Sequence, residues 1–388
     1  MSKQKICFVT GTRAEYGLLK QLMKLTDISS QFEMLLVVTG SHLSPDHGNT
    51  ITEIESDGFK INHKLSWQLS SVTEQSVSQA TADVINHLGT YFAQTRPDLL
   101  VILGDRYEIF GAATAALFLK IPVAHIHGGE ITEGAFDDSL RHAISKMSHL
   151  HFVSTNEYRD RVTQLGENPN YIFNVGGLGV DAIKKTILLD RDDLEKQLGI
   201  KFLKKNLLIT IHPTTLEKEH SYQITRNLLI ILSDLKDTGF IFTAPNADPN
   251  FTEIKSMIQS FITKHSNAYL FDSLGQQKYL SCLAVVDAVV GNSSSGILEA
   301  PSFKTPTINI GNRQKGRVQA KSVINCDINE KSISNAIEKG LSEEFNRQLA
   351  HLHNPYGSGG ASEAIFNQLC ITNFKELIVK KFYDIPIN

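Results

Sequence analysis

The 388-residue chain is poor in cysteine: Cys7, Cys282, Cys326 and Cys370 stand far apart, and no CxxC pair occurs. That spacing excludes a disulfide framework or a zinc ribbon and fits a reducing compartment. No run of about 18 apolar residues is present, so no membrane-spanning helix is expected. The N-terminus, MSKQKICFVT, lacks the long apolar core of a signal peptide, and a cytoplasmic protein is the expectation. Neither sign of charge is in marked excess. A formal net charge of −3 offers no electrostatic footprint for DNA or RNA, although it leaves room for a local cationic pocket that takes one small anion. There is no P-loop GxxxxGK[ST] and no GxGxxG followed by a suitably placed acid, which argues against a dinucleotide enzyme. Short-period repeats and low-complexity tracts are also missing.

What is present is ordinary globular composition, 41% hydrophobic and 20% charged, over a length that favours two domains. Short β-rich runs alternate with longer amphipathic ones, the pattern of parallel α/β units. In the first half the strand runs are 5–10, 33–40, 59–65, 99–104, 122–127 and 150–154, with helical patterns at 14–25, 73–95, 107–119 and 137–148. The alternation restarts after 172–183. Strand runs follow at 206–211, 240–244, 268–271, 287–291 and 306–310, with helices near 218–235, 251–264, 294–301 and 330–352. Gly176, Gly177 and Gly179 mark a hinge. The expected fold is α/β, two Rossmann-like domains with an interdomain cleft. Residues 1–175 form the first domain and 176–360 the second, and a terminal helix in 361–388 packs back on the first.

Open parallel sheets bind ligands at the carboxyl ends of their strands. In the first half those ends carry GTRAEYG (11–17), GDRYE (104–108) and HIHGGE (125–130); in the second, His212-Pro213, Ala244-Pro245-Asn246, GNSSSG (291–296) and GNRQ (311–314). GNSSSG is a strand-to-helix turn whose amides and hydroxyls can hold a phosphate, or else plain helix capping. Arg13, His212 and Arg313 strengthen the phosphate reading, and Glu299 could accept bonds from a ribose diol. Asp137 opens the helix DDSLRHAISKMS, whose apolar side is read as Leu140, Ala143, Ile144 and Met147. Asp137 pairs in spacing with Arg141, and Asp138 with His142. Asp105 and Glu130 end other strands and point to the same edge. Carboxyls converging on a partly dry cleft are equipment for proton transfer. The competing account is a metal held by His125, His127, Asp105 and Glu130. A phosphate cleft with two arginines does not need a cation, so no metal is assigned.

Taken in order, GTRAEYG, ILGDRYE, HIHGGE, FDDSLRH, the HP pair, GNSSSGILEAP and GNRQKGR resemble the hydrolysing UDP-N-acetylglucosamine 2-epimerases of sialic-acid and legionaminic-acid synthesis. The likeness spans essentially the whole chain and implies the two-domain glycosyltransferase-B fold. It also implies that UDP-GlcNAc loses the C2 proton and UDP to give 2-acetamidoglucal, after which water adds at C1 and C2 is reprotonated from the other face. No redox cofactor is needed. The resemblance assigns acid/base roles to Asp105 and Asp137, with Glu130 and His127 as further candidates. It gives substrate contacts to Arg13, Arg106, His212, Asn246, Ser293, Ser294, Glu299 and Arg313. Homo-oligomers, dimers or tetramers, are common in such families. Two departures stand out: His127 occupies a place where many relatives carry glutamate, and Ser358 replaces an acid in NPYGDG. The same reaction on UDP-2,4-diacetamido-2,4,6-trideoxyglucose is the nearest alternative; non-hydrolysing epimerisation, glycosyl transfer and nucleotide-sugar sensing lie further off.

Overall fold

Apolar runs such as Ile6-Cys7-Phe8-Val9 and Leu99–Leu103 carry no polar interruption, so as strands they must be covered on both faces. The computed structural model, which describes residues 3–44, 50–66, 74–132, 136–213, 218–244 and 251–385, places them in this way. Ile6, Phe8, Leu99 and Val101 enter one core cluster, while Cys7, Val9, Leu100 and Ile102 enter another. Strand alternation thus feeds two layers of helices with apolar surface.

The chain forms two α/β units. One comprises Met1–Glu130, Phe136–Ala182 and Gly359–Asn388; the other comprises Ile131–Ala135 and Ile183–Ser358. In the first unit the strands are β1 (Gln4–Thr10), β2 (Phe32–Thr39), β3 (His63–Leu65), β4 (Leu99–Leu103), β5 (Val123–Ile126), β6 (Leu150–Val153) and β7 (Ile172–Asn174). They line up as β3-β2-β1-β4-β5-β6-β7, all parallel. The second unit holds β8 (Lys205–Thr210), β9 (Thr238–Thr243), β10 (Ala268–Phe271), β11 (Ala288–Gly291), β12 (Thr307–Ile310) and β13 (Val323–Cys326). Their order is β10-β9-β8-β11-β12-β13, again parallel. Each order reverses once, between β1 and β4 and between β8 and β11. At those points the outgoing loops part to opposite sides and leave a crevice at the strands' carboxyl ends.

Several elements differ from the sequence reading. The edge strands β7 and β13 were not read as strands: each is short and only partly buried, so neither has an uninterrupted apolar run. The run 59–65 is strand only from His63 to Leu65. The helix expected at 330–352 is two helices, Glu330–Gly340 and Glu343–Gln348, because Ser342 caps the second by accepting the Phe345 N–H (3.2 Å). The helix expected at 294–301 is one α-turn, Ser295–Leu298, followed by a 3₁₀ turn, Ala300–Phe303. No helix among the described residues is long and apolar enough to cross a membrane. The four cysteines are free thiols.

After leaving the second unit the chain returns to the first. Helix Ala361–Ile371 and the turn that follows it put Ile365, Leu369, Phe374 and Leu377 into the core beside Phe32. The buried Asp181 carboxylate caps this helix, accepting N–H bonds from Gly360, Ala361 (2.8 Å) and Ser362 (2.5 Å). An anion at a helix N-terminus meets both the orphan amides and the favourable end of the macrodipole. Further along, Lys380 Nζ caps the C-terminal end of helix Asp137–Met147, donating to the carbonyls of Lys146 (2.7 Å) and Ser148 (2.6 Å). It also pairs with buried Glu167 (2.7 Å), which takes Lys146 Nζ (2.8 Å) and His151 Nε2 (3.1 Å) as well.

Burial alone would raise the Glu167 pKa, but the bonds and charges of His151, Lys146 and Lys380 outweigh it and hold the group at about 2. A carboxyl lowered on folding adds stability above its unfolded pKa and loses it as pH falls toward the folded one. Glu167→Gln is therefore expected to cost roughly 3 kcal/mol at neutral pH. It should also flatten the loss of stability that the parent protein shows between about pH 4.5 and 2. Urea unfolding across that range checks both.

Candidate active site

In the first unit the crevice lies between the loops after β1 and β4. Gly104 leaves β4 with φ +82°, turning the chain so that Asp105 and Arg106 precede helix Tyr107–Phe118. The next loop, after β5, carries His127 and Glu130, and helix Asp137–Met147 follows it. Of the expected apolar side, Ile144 is buried and Met147 packs partly buried on the core, Leu140 and Ala143 are half-buried, and the helix also buries Arg141 and Ser145. The buried Arg141 and Ser145 are polar because each serves the strand ends. Ser145 Oγ meets His125 Nδ1 (3.0 Å), whose Nε2 donates to the Gly104 carbonyl (2.8 Å). Burial drives the His125 pKa down to about 3, so this imidazole is a neutral strut.

Arg141 is the hub. Its Nη1 donates to the Glu130 carbonyl (2.9 Å) and to Asp138 Oδ1 (3.1 Å), and its Nη2 donates to Asp105. One guanidinium thereby ties the ends of β4 and β5 to the first turn of the helix. Beyond the helical spacing that relates it to Asp137, Arg141 reaches Asp138 and Asp105. Asp137, the first residue of the helix, is half-buried. His127 takes a left-handed backbone, φ +67°, costly for a residue with a Cβ. The twist parts it from His125. Its Nε2 accepts the Leu178 N–H (3.4 Å), which leaves the ring proton on Nδ1, 3.6 Å from Glu130 Oε1. Glu130, itself buried, also accepts from Ser154 Oγ (3.4 Å). Arg13 is exposed at the first position of helix Arg13–Asp27.

Glu15 and Glu108 stand within GTRAEYG and GDRYE, but the sequence assigns them no role. Both are buried here. Glu108 Oε1 accepts Arg106 Nε (2.7 Å), and Glu15 Oε2 accepts the Gly11 N–H (2.8 Å). The signal lay in GTRAEYG and GDRYE, where each acid stands one turn into a helix beside an arginine. Among the described residues no three His, Cys, Asp or Glu side chains gather as metal ligands.

In the second unit the crevice lies between β8 and β11. Gly291 ends β11 at φ +136°, where any Cβ would lie 1.9 Å from the Thr210 carbonyl oxygen. Only glycine fits there. Asn292 then clamps His212: its Oδ1 accepts the His212 N–H (2.7 Å) and its Nδ2 donates to the His212 carbonyl (2.8 Å). The Asn292 carbonyl in turn receives Arg313 Nη1 (3.0 Å) and Gln314 Nε2 (2.9 Å). His212, Ser293, Ser294 and Arg313 are thus brought together at the ends of three neighbouring strands. Burial, then the charge of Arg313, lowers the His212 pKa to about 3, so this ring is neutral. Burial raises the Glu299 pKa against a lowering bond from Ser295, which also accepts Tyr279 Oη–H (2.7 Å). Only one α-turn follows GNSSSG, so a helix dipole at this turn is short. Asn246 lies outside the described residues, as do residues 133–135 of the TEGAF stretch.

Comparison with known proteins matches residues 25–370 to the family model described as UDP-N-acetylglucosamine 2-epimerase. The chain is 45% identical over 346 residues, 89% of each sequence, to the GDP/UDP-N,N'-diacetylbacillosamine 2-epimerase (hydrolyzing) of Campylobacter jejuni. It is 37% identical over 388 residues, 99% of this chain and 98% of the other, to the polysialic acid biosynthesis protein P7 of Escherichia coli. Its fold is similar to the crystal structure of UDP-GlcNAc 2-epimerase from Neisseria meningitidis bound to UDP-GlcNAc. There the TM-score is 0.81 at 20% identity, over 95% of this chain and 100% of that one.

Removing one partner of a buried ion pair strands the other charge. Arg141→Ala is therefore expected to destabilise the first unit by about 3 kcal/mol or more. Arg141→Lys, which keeps the charge without the fork that reaches three partners, should recover less than half of that. Denaturant midpoints of the three proteins check the order.

Proposed function

The chain belongs to the UDP-N-acetylglucosamine 2-epimerase family, and from that premise we propose that it is a hydrolysing epimerase acting on a UDP-2-acetamido sugar. A base takes the C2 proton while the C1–O bond breaks and UDP departs with the electron pair. Water then adds to C1 of the resulting 2-acetamidoglucal, and C2 receives a proton on the opposite face. The products are UDP and the free sugar inverted at C2. Two proton transfers on opposite faces need two separately controlled groups. The observation that supports the reading is that the first unit brings two differently held carboxyl groups to one sheet edge. Asp105 is a carboxylate fixed by Arg141, and Glu130 is a buried carboxyl facing the Nδ1–H of His127. Asp137 is the third candidate, at the start of the helix that Arg141 anchors. His127 with Glu130 takes the place that a glutamate fills in many relatives.

The uridine diphosphate half falls to the second unit. His212, Ser293, Ser294 and Arg313 address the phosphates, and Glu299 addresses the ribose. Arg13 and Arg106 supply further cationic contacts. No redox step occurs, so no electron-carrying cofactor is called for. Cytoplasmic location and homo-oligomeric assembly belong to the same proposal.

For the sugar, we favour the 2,4-diacetamido-2,4,6-trideoxy form, because the Campylobacter jejuni relative is named for N,N'-diacetylbacillosamine, a sugar of that constitution. UDP-GlcNAc is the second reading, supported by the description of the family model that the chain matches. Incubation of the purified protein with each UDP-sugar, without any acceptor, separates the cases by NMR. The expected result is free UDP with the free C2-inverted sugar, formed faster from the diacetamido substrate. Faster turnover of UDP-GlcNAc would reverse the order of the substrates. A C2 epimer still linked to UDP, or no reaction of either, would overturn hydrolysing epimerisation.

A further inference from the structure

Glu15 and Glu108 have no part in the mechanism above, yet the fold reserves space for them. Glu108 is fully buried at the second position of its helix, and its carboxylate fills a hollow beside two glycines. A Cβ at Gly11 would lie 2.5 Å from Glu108 Oε1 and one at Gly40 3.1 Å from it. Glu15 is buried at the third position of the helix after β1. Glu108 Oε2 and Glu15 Oε1 are buried without a hydrogen-bond partner.

The charges around them do not balance if both acids are ionised. From the β4 edge come Arg106 and, more distantly, Asp105. From the turn after β2 comes His42, whose Nε2 meets Thr10 Oγ1 (3.2 Å) and whose pKa burial lowers to about 4, leaving it neutral. Two carboxylates would then share one guanidinium, an excess buried negative charge of a kind that proteins relieve by keeping a proton. Arg106 shows what the arrangement serves. Its Nε is tied inward to Glu108, while its side chain stays 38% exposed and its two terminal amino groups make no hydrogen bond within the described residues.

We propose that Glu15 and Glu108 are positioning residues for Arg106, which presents its two terminal amino groups to an oxygen of the UDP-sugar beside Asp105. The inference rests on the functional reading above and adds a group to it. Burial first, and then the charge of Glu108, pushes the Glu15 pKa up to about 8, against the lowering effects of Arg106 and the Gly11 N–H. Deprotonation above that pH leaves two buried carboxylates competing for one guanidinium, and the presented geometry is lost.

The test has two arms. Infrared difference spectroscopy on the unliganded protein should show a protonated carboxyl C=O band at pH 7 that titrates near pH 8 and is missing in Glu15→Gln. In steady-state kinetics the parent KM should rise at alkaline pH. Glu15→Gln should abolish that rise, and Glu108→Gln should raise KM at least about tenfold at pH 7 with a much smaller change in kcat. Absence of the band, or an alkaline rise unchanged in Glu15→Gln, would overturn the proposal, as would a loss in Glu108→Gln confined to kcat. A band that titrates near pH 8 supports the pair even where no UDP-sugar turns over, which keeps failure of the functional reading distinct from failure of this one.

Discussion

A buried guanidinium constrains everything around it. Arg141 is 3% exposed and must be paired, because an uncompensated charge at that depth costs several kcal/mol. Its fork reaches Asp105 from the end of β4, the Glu130 carbonyl from beyond β5, and Asp138 one turn back on its own helix. Three chain segments that diverge in sequence are held to one point by a planar group whose geometry cannot be imitated by lysine. The ion pair adds less to net stability than its Coulomb attraction suggests, since desolvation offsets much of it. What it supplies is position.

The second unit solves the same problem without charge. Asn292 offers one acceptor and one donor to the backbone of His212, as a neighbouring strand would. Gly291 allows the close approach to Thr210 that brings the two loops within reach. The Asn292 carbonyl then collects Arg313 and Gln314. In both units, therefore, side chains at the sheet's reversal are held by hydrogen bonds to their neighbours. Preorganised groups of this kind need little rearrangement when charge develops in a reaction.

Much of this was legible in the residues. Uninterrupted runs such as Leu99–Leu103 declare strands covered on both faces, and the polar clusters that follow them declare the functional edge. Two of the edge strands were not legible: Val323–Cys326 is only partly buried, and Ile172–Asn174 is three residues with one buried, too short for any period. Nor were side-chain partners. The i,i+4 rule sees only neighbours on the same helix, whereas burial turns the Arg141 guanidinium toward Asp105 and the Glu130 carbonyl from other strand ends. Alternation placed His125 and His127 on one face, until a positive φ at His127 ended the strand geometry. Glu15 and Glu108 look like ordinary first-turn acids of helices. Only the packing of two loops around Gly11 and Gly40 shows that they are buried.

The central claim is that carboxyl groups at the first unit's sheet edge exchange the proton on C2 of the sugar with solvent. Running the reaction in D₂O and reading the released sugar by NMR and mass spectrometry tests it most directly. The account predicts one deuterium at C2 of the inverted product. Inverted product that keeps its original hydrogen at C2 would contradict it.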